Sequence, residues 1–442
     1  MSPSLFSIYI NDLVEVINAA NCGVTVDNRT ISIMLYADDI VLITPDETSM
    51  DKLLSVLNEW CEKWQISLNP QKTKIVHFRT PSKPQSTHKF TCGPEIIETC
   101  DCYRYFGLWF NERLDMNKTV KELSKSASRA LGVLCIKFKI LGGMTFKVFS
   151  KLYASLVEPI LFYCAGIWGT KSYSCVNNIQ NKAIKFFLGV GKTTSNLATR
   201  GDVGWTSCET KQKVECIRQL CKLHRLDSNR YLSSYFNYLM IHKTRNSWYT
   251  KVTKFVESIN LGELIKFNIN SVKYAVNEAK LRFDELDSLN WSNDMYNDKN
   301  NVNGNKLRTY RQFKHIRITE SYVTNPKITR HQRRLISQTR SGSLPIAIET
   351  GRYSKPPILL ENRLCNYCDQ KEIENEFHVI MKCKAYNDIR REILADFVNN
   401  TSPNYDEYSY ELFLMIMSDD YAQTSLGKFL EQMYYKRKQL SV

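Results

Sequence analysis

Apolar residues recur along this chain with two periods, and the period decides the element. Over the first twenty residues Leu5, Phe6, Tyr9, Ile10, Leu13, Ile17 and Ala20 fall on one side of a helix, with Ser2 as its cap and Pro3 as its first residue. From Ile31 to Thr44 the pattern changes. Two apolar, β-branched runs flank Tyr36-Ala37-Asp38-Asp39, which predicts strand, two-residue acidic turn, strand, with both carboxylates at the tip. Met50, Leu53, Leu54, Leu57, Trp60, Cys61 and Trp64 return to the helical period, with Thr48 and Asp51 as a start resembling a capping box. Pro81 to Thr87 is a polar loop, and His88 to Phe110 reads as short strands. Val120, Leu123, Ala127, Leu131, Leu134, Phe138 and Leu141 share one face of a helix from Lys118 to Leu141. Leu152 to Trp168 is an apolar run broken at Glu158-Pro159, and Cys175 to Leu188 is a helix closed by Gly189. Lys211 to Leu226 and residues 225–285 are helical; Asp287 to Asn305, rich in Asn, Asp and Ser, reads as a linker. Helical spacing returns at Tyr408 to Met417 and Phe429 to Tyr435.

A chain of 442 residues with 43% apolar content has room for two to four domains and at least one sizeable core. Sixty Lys and Arg against 45 Asp and Glu give a net charge of +15, which favours a polyanionic partner, nucleic acid first. No apolar run is long enough to span a bilayer, and no basic amphipathic anchor is present. Met1-Ser2-Pro3 lacks the basic start and cleavage site of a signal peptide. Fourteen cysteines without a framework spacing suit a reducing compartment, so an intracellular protein, nuclear or cytoplasmic, is expected.

Three patterns carry chemistry. Asp38 and Asp39 on a rigid turn suit Mg²⁺, which wants a few hard oxygens plus substrate phosphates; pattern alone leaves a solvated Asp-Asp turn open. Lys118, Lys121, Lys125 and Arg129 lie opposite the apolar face of their helix, placed to neutralise phosphates or to form a solvated face. A denser run follows. Asn305 to Arg340 holds ten Lys or Arg against Glu320. Arg330, Arg333, Arg334 and Arg340, with Tyr310, Phe313 and Tyr322, are expected to grip phosphates and stack bases. Finally, Cys365-x2-Cys368-x9-His378-x4-Cys383 offers four ligands of the type and number that hold structural Zn²⁺ in a closed tetrahedron. Cys208, Cys216, Cys221 and His224 are instead expected to pack in a helical core. Cys92, Cys100 and Cys102 are read as strand-core or exposed thiols.

The motifs also fall in a known order. Ser2-Pro3-Ser4-Leu5-Phe6-Ser7-Ile8-Tyr9-Ile10-Asn11-Asp12-Leu13 resembles the segment preceding the YADD hairpin of reverse transcriptases. Leu68-Asn69-Pro70-Gln71-Lys72-Thr73-Lys74 resembles the segment after the palm helix. Tyr105-Phe106-Gly107 is similar to the Tyr-Leu-Gly primer grip, with Phe for Leu. Together with the Cys-Cys-His-Cys knuckle, this resembles the C-terminal part of a LINE-type non-LTR retrotransposon reverse transcriptase. The resemblance implies an α+β fold: a truncated palm with the YADD hairpin, a helical thumb and a mainly helical C-terminal zinc-knuckle region. The corresponding segments are 1–80 partial palm, 81–115 primer-grip strands, 116–230 thumb, 231–304 connector and linker, and 305–442 the basic, zinc-bearing domain.

It further implies RNA-directed DNA polymerase activity on template RNA and primer DNA through two Mg²⁺. Asp38 and Asp39 would hold metal, Lys72 would assist the leaving pyrophosphate, and Tyr105, Phe106 and Gly107 would place the primer end. Fingers and a further catalytic Asp are not found upstream, and Asp12 and Asp27 read as surface or capping carboxylates. This chain alone is therefore expected to be inactive, and the alternative reading is a non-catalytic nucleic-acid-binding remnant.

Overall fold

The computed structural model describes residues 2–262, 272–297, 306–395 and 409–440. It divides into two compact units: Met1–Glu122 with Cys164–Lys171 and Lys213–Ala279, and Leu123–Tyr163 with Ser172–Gln212 and Lys280–Val442. These units divide the chain differently from the five sequential segments expected, because residues 123–163 and 172–212 cluster with the C-terminal region.

In the first unit, α1 (Ser2–Tyr9) and α2 (Asn11–Ala19) form two helices rather than one, meeting at Ile10. Ile10, Leu13 and Ile17 pack with Ile33 and with Leu53, Leu57, Trp60 and Cys61 of α3 (Glu47–Trp64), as the helical period requires. Asp46 caps α3 by accepting from the Ser49 N–H at 2.8 Å, so Thr48 lies inside the first turn, and Asp51 contacts His88 at 2.7 Å instead. Four small sheets surround these helices. They are the hairpins β1–β2 (Val24–Val26, Arg29–Ile31), β3–β4 (Ile33–Tyr36, Asp39–Leu42) and β8–β9 (Cys102–Tyr105, Leu108–Asn111), and a three-stranded sheet. The latter runs β5 (Lys74–Ile75), β7 (Glu95–Thr99), β6 (Phe90–Cys92). Phe90, Cys92 and Ile97 seat it on Leu54 of α3. Asp27 and Asn28 turn β1 into β2 with positive φ, and Asp12 accepts from the Trp60 indole at 3.0 Å. Asp12 thus has a structural contact through its carboxylate, and Asp27 a structural role through its backbone.

Helix α4 (Asn117–Ile140) begins against β9, where the Thr119 hydroxyl accepts from the Trp109 N–H at 2.7 Å. Val120, Ala127, Leu131, Leu134 and Phe138 are buried on it as expected, but Leu141 is exposed. Pro159 follows a π-helical turn, Tyr153–Val157, which absorbs the misfit that a proline imposes on the preceding backbone. In the second unit, the Ser174–Leu188 helix ends at Gly189 with φ 76°. The Val272–Asn297 helix runs straight through the start of the expected linker. Its composition suggested a loop, but Trp291 and Met295 are buried against Ala198, Leu307 and Tyr310, and that burial outweighs the weak helix propensity of Asn, Asp and Ser. Gly201 makes this packing possible: a Cβ there would stand 2.4 Å from Trp291 and from the Tyr310 hydroxyl. The rest of the expected linker, residues 298–305, and Tyr408 lie outside the described residues.

Among the described residues no helix is long and apolar enough to cross a membrane. Cys208, Cys216 and Cys221 are buried, with the Cys216 thiol donating to the Ala165 carbonyl, as expected of core thiols.

Candidate active site and metal centre

The β3–β4 hairpin pairs Tyr36 directly with Asp39, so the two turn residues are Ala37 and Asp38. This corrects the expected turn by one position: Asp38 is in the turn and Asp39 opens β4. Ala37 carries the left-handed conformation at φ 52°, the positive φ that a two-residue hairpin turn demands at its first position. Ile33 is buried; Leu35, Ile40 and Leu42 are half-buried against the α2–α3 core. The hairpin is thus held from one side, and both carboxylates stand exposed.

The β8–β9 hairpin pairs Tyr105 with Leu108, leaving Phe106 and Gly107 as the turn, with φ 46° and 80°. Positive φ at both positions is the geometry that matches strand twist, and glycine at the second position adopts it without strain. Its tip meets the acidic hairpin. The Phe106 ring stands edge-on to Tyr36 with centroids 4.8 Å apart, and Phe106 lies 4.1 Å from the Tyr105 ring. Burial raises the Tyr105 phenol above its ordinary range, and the charge of Asp39 raises it further. Two motifs about seventy residues apart therefore share one corner of the first unit. Tyr36, read from the sequence only as part of the acidic motif, is the side chain that joins them. Lys72 stands exposed on a separate turn of this unit, its N–H donating to the Asn69 carbonyl at 3.1 Å. On α4, Lys118, Lys121, Lys125 and Arg129 are all exposed, and the Lys118 ammonium lies 3.8 Å over the Trp109 ring.

The basic run from 305 to 340 is a different matter. Arg340 is 1% exposed and forms ion pairs with Asp202 at 3.0 Å and Glu320 at 3.1 Å; Tyr310 and Tyr322 donate to the same Asp202 at 2.8 and 2.7 Å. Lys314 closes the network on Glu320. Arg333 is buried with its guanidinium over Phe187, and burial pushes its pKa down to about 10. Lys306 pairs with Glu349, Arg308 with Glu376 and Arg317 with Asp284. The expected phosphate grip and base-stacking surface is therefore corrected. Arg333, Arg340, Tyr310 and Tyr322 belong to the core of the second unit: Asp202 and Glu320 neutralise Arg340, and the Phe187 ring receives Arg333. Arg330 and Arg334 remain exposed, the former with its guanidinium against Phe138 and Phe186.

Cys365, Cys368, His378 and Cys383 do converge, with their ligand atoms all within 4.8 Å of one another. A backbone bridge between Leu364 and Ile373 folds the first pair back toward His378, which opens a π-helical turn ending at Cys383. The Cys365 and Cys383 sulfurs are 3.9 Å apart, and Cys368 Sγ lies 3.5 Å from His378 Nε2. A tetrahedral zinc with Zn–S near 2.3 Å and Zn–N near 2.05 Å separates such atoms by about 3.8 and 3.6 Å, so these two separations match that geometry. The hydrogen bond between the two sulfurs lowers the Cys365 thiol below its ordinary range and raises Cys383. Glu372, which the spacing did not flag, accepts from His378 Nδ1 at 3.1 Å and turns Nε2 to the site, the outer carboxylate typical of histidine ligands. The buried Arg390 guanidinium donates to the carbonyls of Ile380 at 2.7 Å and Cys383 at 3.0 Å. Among the described residues no other cluster of three or more Cys, His, Asp or Glu is arranged to hold a metal, the acidic hairpin included.

Comparison with known proteins agrees with the motifs. Residues 1–110 match the family described as reverse transcriptase (RNA-dependent DNA polymerase). The chain is 25% identical over 194 residues to a probable RNA-directed DNA polymerase from transposon BS of Drosophila melanogaster, covering 42% of this chain and 21% of that protein. It is 23% identical over 239 residues to the RNA-directed DNA polymerase from mobile element jockey of Drosophila funebris, covering 52% and 25%. The chain thus spans about a fifth to a quarter of the length of these relatives. The resemblance to LINE-type reverse transcriptases is borne out by these matches.

Proposed function

We infer that this chain carries polymerase machinery of a non-LTR retrotransposon and works in RNA-templated extension of a DNA primer. The observation that carries this reading is the meeting of the two hairpin turns. Tyr36 and Phe106 touch, and Asp39 lies close enough to act on Tyr105. In this reading Asp38 and Asp39 hold Mg²⁺, and Tyr105, Phe106 and Gly107 seat the primer end beside them. Lys72 donates a proton to the leaving pyrophosphate. The bound ions would polarise the attacking and leaving oxygens; the chain's own part is to fix that geometry on two rigid turns. Lys118, Lys121, Lys125 and Arg129, with the exposed Arg330 and Arg334, are the remaining candidates for phosphate contact. The Cys/His cluster holds a structural zinc, which its distances and its Glu372 outer ligand support.

A second reading is a nucleic-acid-binding protein without catalysis. It is favoured by one observation: among the described residues no third carboxylate gathers with Asp38 and Asp39. Primer extension on an RNA template with Mg²⁺ separates the two. Extension by the full chain that Asp38→Asn abolishes, while binding of the RNA–DNA hybrid is unchanged, supports the polymerase reading, because that substitution removes metal charge and no phosphate contact. The chain is assayed alone, where no extension is expected, and joined to an upstream fingers-and-palm segment of a related polymerase; salt-sensitive hybrid binding without extension in both assigns the binding role. Extension that survives Asp38→Asn removes the hairpin from the active site.

A further inference from the structure

The Tyr231–His242 helix presents an unusual outer face. Tyr231, Tyr235, Tyr238 and His242 recur at four, three and four residues, which at 100° per residue places all four rings in a strip about 60° wide. Tyr231 is 50% and Tyr235 45% exposed; Leu232 and the 70%-exposed Ile241 border the strip. The opposite face is anchored. Phe236 is buried edge-on to His224 and Tyr249, with centroids at 4.8 and 5.7 Å, and Arg29 of β2 donates to the Asn229 carbonyl just before the helix at 2.8 Å. The rings therefore stand on a held helix.

We propose that this face is a stacking platform for single-stranded nucleic acid. The surrounding charge selects a polyanion: residues 222–245 contain Lys222, Arg225, Arg230, Lys243 and Arg245 against Asp227 alone. A second copy of the chain docking here would bring like charges together. Access to base faces selects a single strand. In a paired duplex each base face is covered by its neighbours, whereas an unpaired base can lie against an exposed ring; Tyr238 and His242, with centroids 4.2 Å apart, form one joint surface in this strip. Aromatic rings beside cations are the usual means of holding unpaired bases without sequence preference. The site lies outside residues 1–110 and does not depend on the acidic hairpin, so it stands or falls separately from the polymerase reading.

The test is binding of a fluorescent oligouridylate of about 12 nucleotides, and of the matching duplex, to the full chain. Tyr235→Ala with Tyr238→Ala should weaken the single strand about tenfold or more, leave the duplex little changed, and keep the slope against salt, since no phosphate contact is lost. Tyr235→Phe with Tyr238→Phe should bind as the parent does, because the stacking ring remains. In the unmodified chain, crosslinks from a 4-thiouridine oligomer should map to residues 231–242, a readout that needs no variant to fold. Unchanged single-strand binding in the alanine variant, equal loss for both probes, or crosslinks elsewhere would overturn the proposal. So would a face that instead takes the chain to phosphatidylserine vesicles or into a dimer.

Discussion

At the scale of single residues, the decisive finding is where the positive charge goes. Arg340 looks in the sequence like one more cation in a phosphate-binding run, and in the structure it is the hub of a buried network with Asp202, Glu320, Tyr310 and Tyr322. Desolvating a guanidinium is unfavourable, and the two carboxylates offset it and hold it charged. Removing the arginine takes the ion-pair partner from buried Asp202 and leaves Glu320 with Lys314. Arg340→Met should therefore lower unfolding free energy by about 3–5 kcal/mol. Arg334→Met, at an exposed position four residues into the same helix, should change it by no more than about 0.5 kcal/mol. Urea unfolding of the two variants checks this, and equal midpoints would refute the burial of Arg340. No residue-level pattern could have revealed the difference, because the partners lie 138 and 20 positions away.

At the scale of elements, α4 behaves as its periodicity says. Its apolar stripe is buried and its basic stripe faces outward, so local pattern and tertiary packing agree. That separation makes the basic face testable without disturbing the core. Lys121→Glu with Lys125→Glu should weaken binding of an RNA–DNA hybrid strongly at low salt and make the plot of log affinity against log salt shallower by about two units, one per phosphate released. The helical circular dichroism should be retained. A parental salt slope in this variant would mean that the stripe is only a solvated face. The hairpins teach the same lesson in part. The acidic hairpin was legible in the two apolar runs flanking Tyr36-Ala37-Asp38-Asp39, but its register by one residue was not, and the turn at Phe106-Gly107 was not read from the sequence. Register depends on which side chains the α2–α3 core accepts.

At the scale of the whole molecule, the Cys/His cluster is built into the second unit rather than hung from it. Cys365, His378 and Cys383 are buried, Arg390 ties the knuckle's carbonyls to its following helix, and Glu374 beside it is paired with Arg437 of the Ala422–Leu440 helix. Zinc removal should accordingly loosen the unit. Metal analysis should find about one zinc per chain, and 1,10-phenanthroline should lower the unfolding temperature. Cys365→Ser with Cys383→Ser should abolish both the zinc and the chelator's effect. Full zinc content in that variant would exclude these ligands. The sequence by itself determined whatever is local. The helical and strand periods, the acidic turn and the ligand spacing are each written within a few dozen residues, where chain geometry alone dictates which side chains share a face. Only the tertiary structure decided which cations are exposed and which are buried against carboxylates, that the Val272–Asn297 helix continues past Asp287, that Tyr36 meets Phe106, and that Glu372 orients His378. The reason is physical: burial, counter-charge and ring contact depend on residues that folding brings together from far apart, and no local period encodes them.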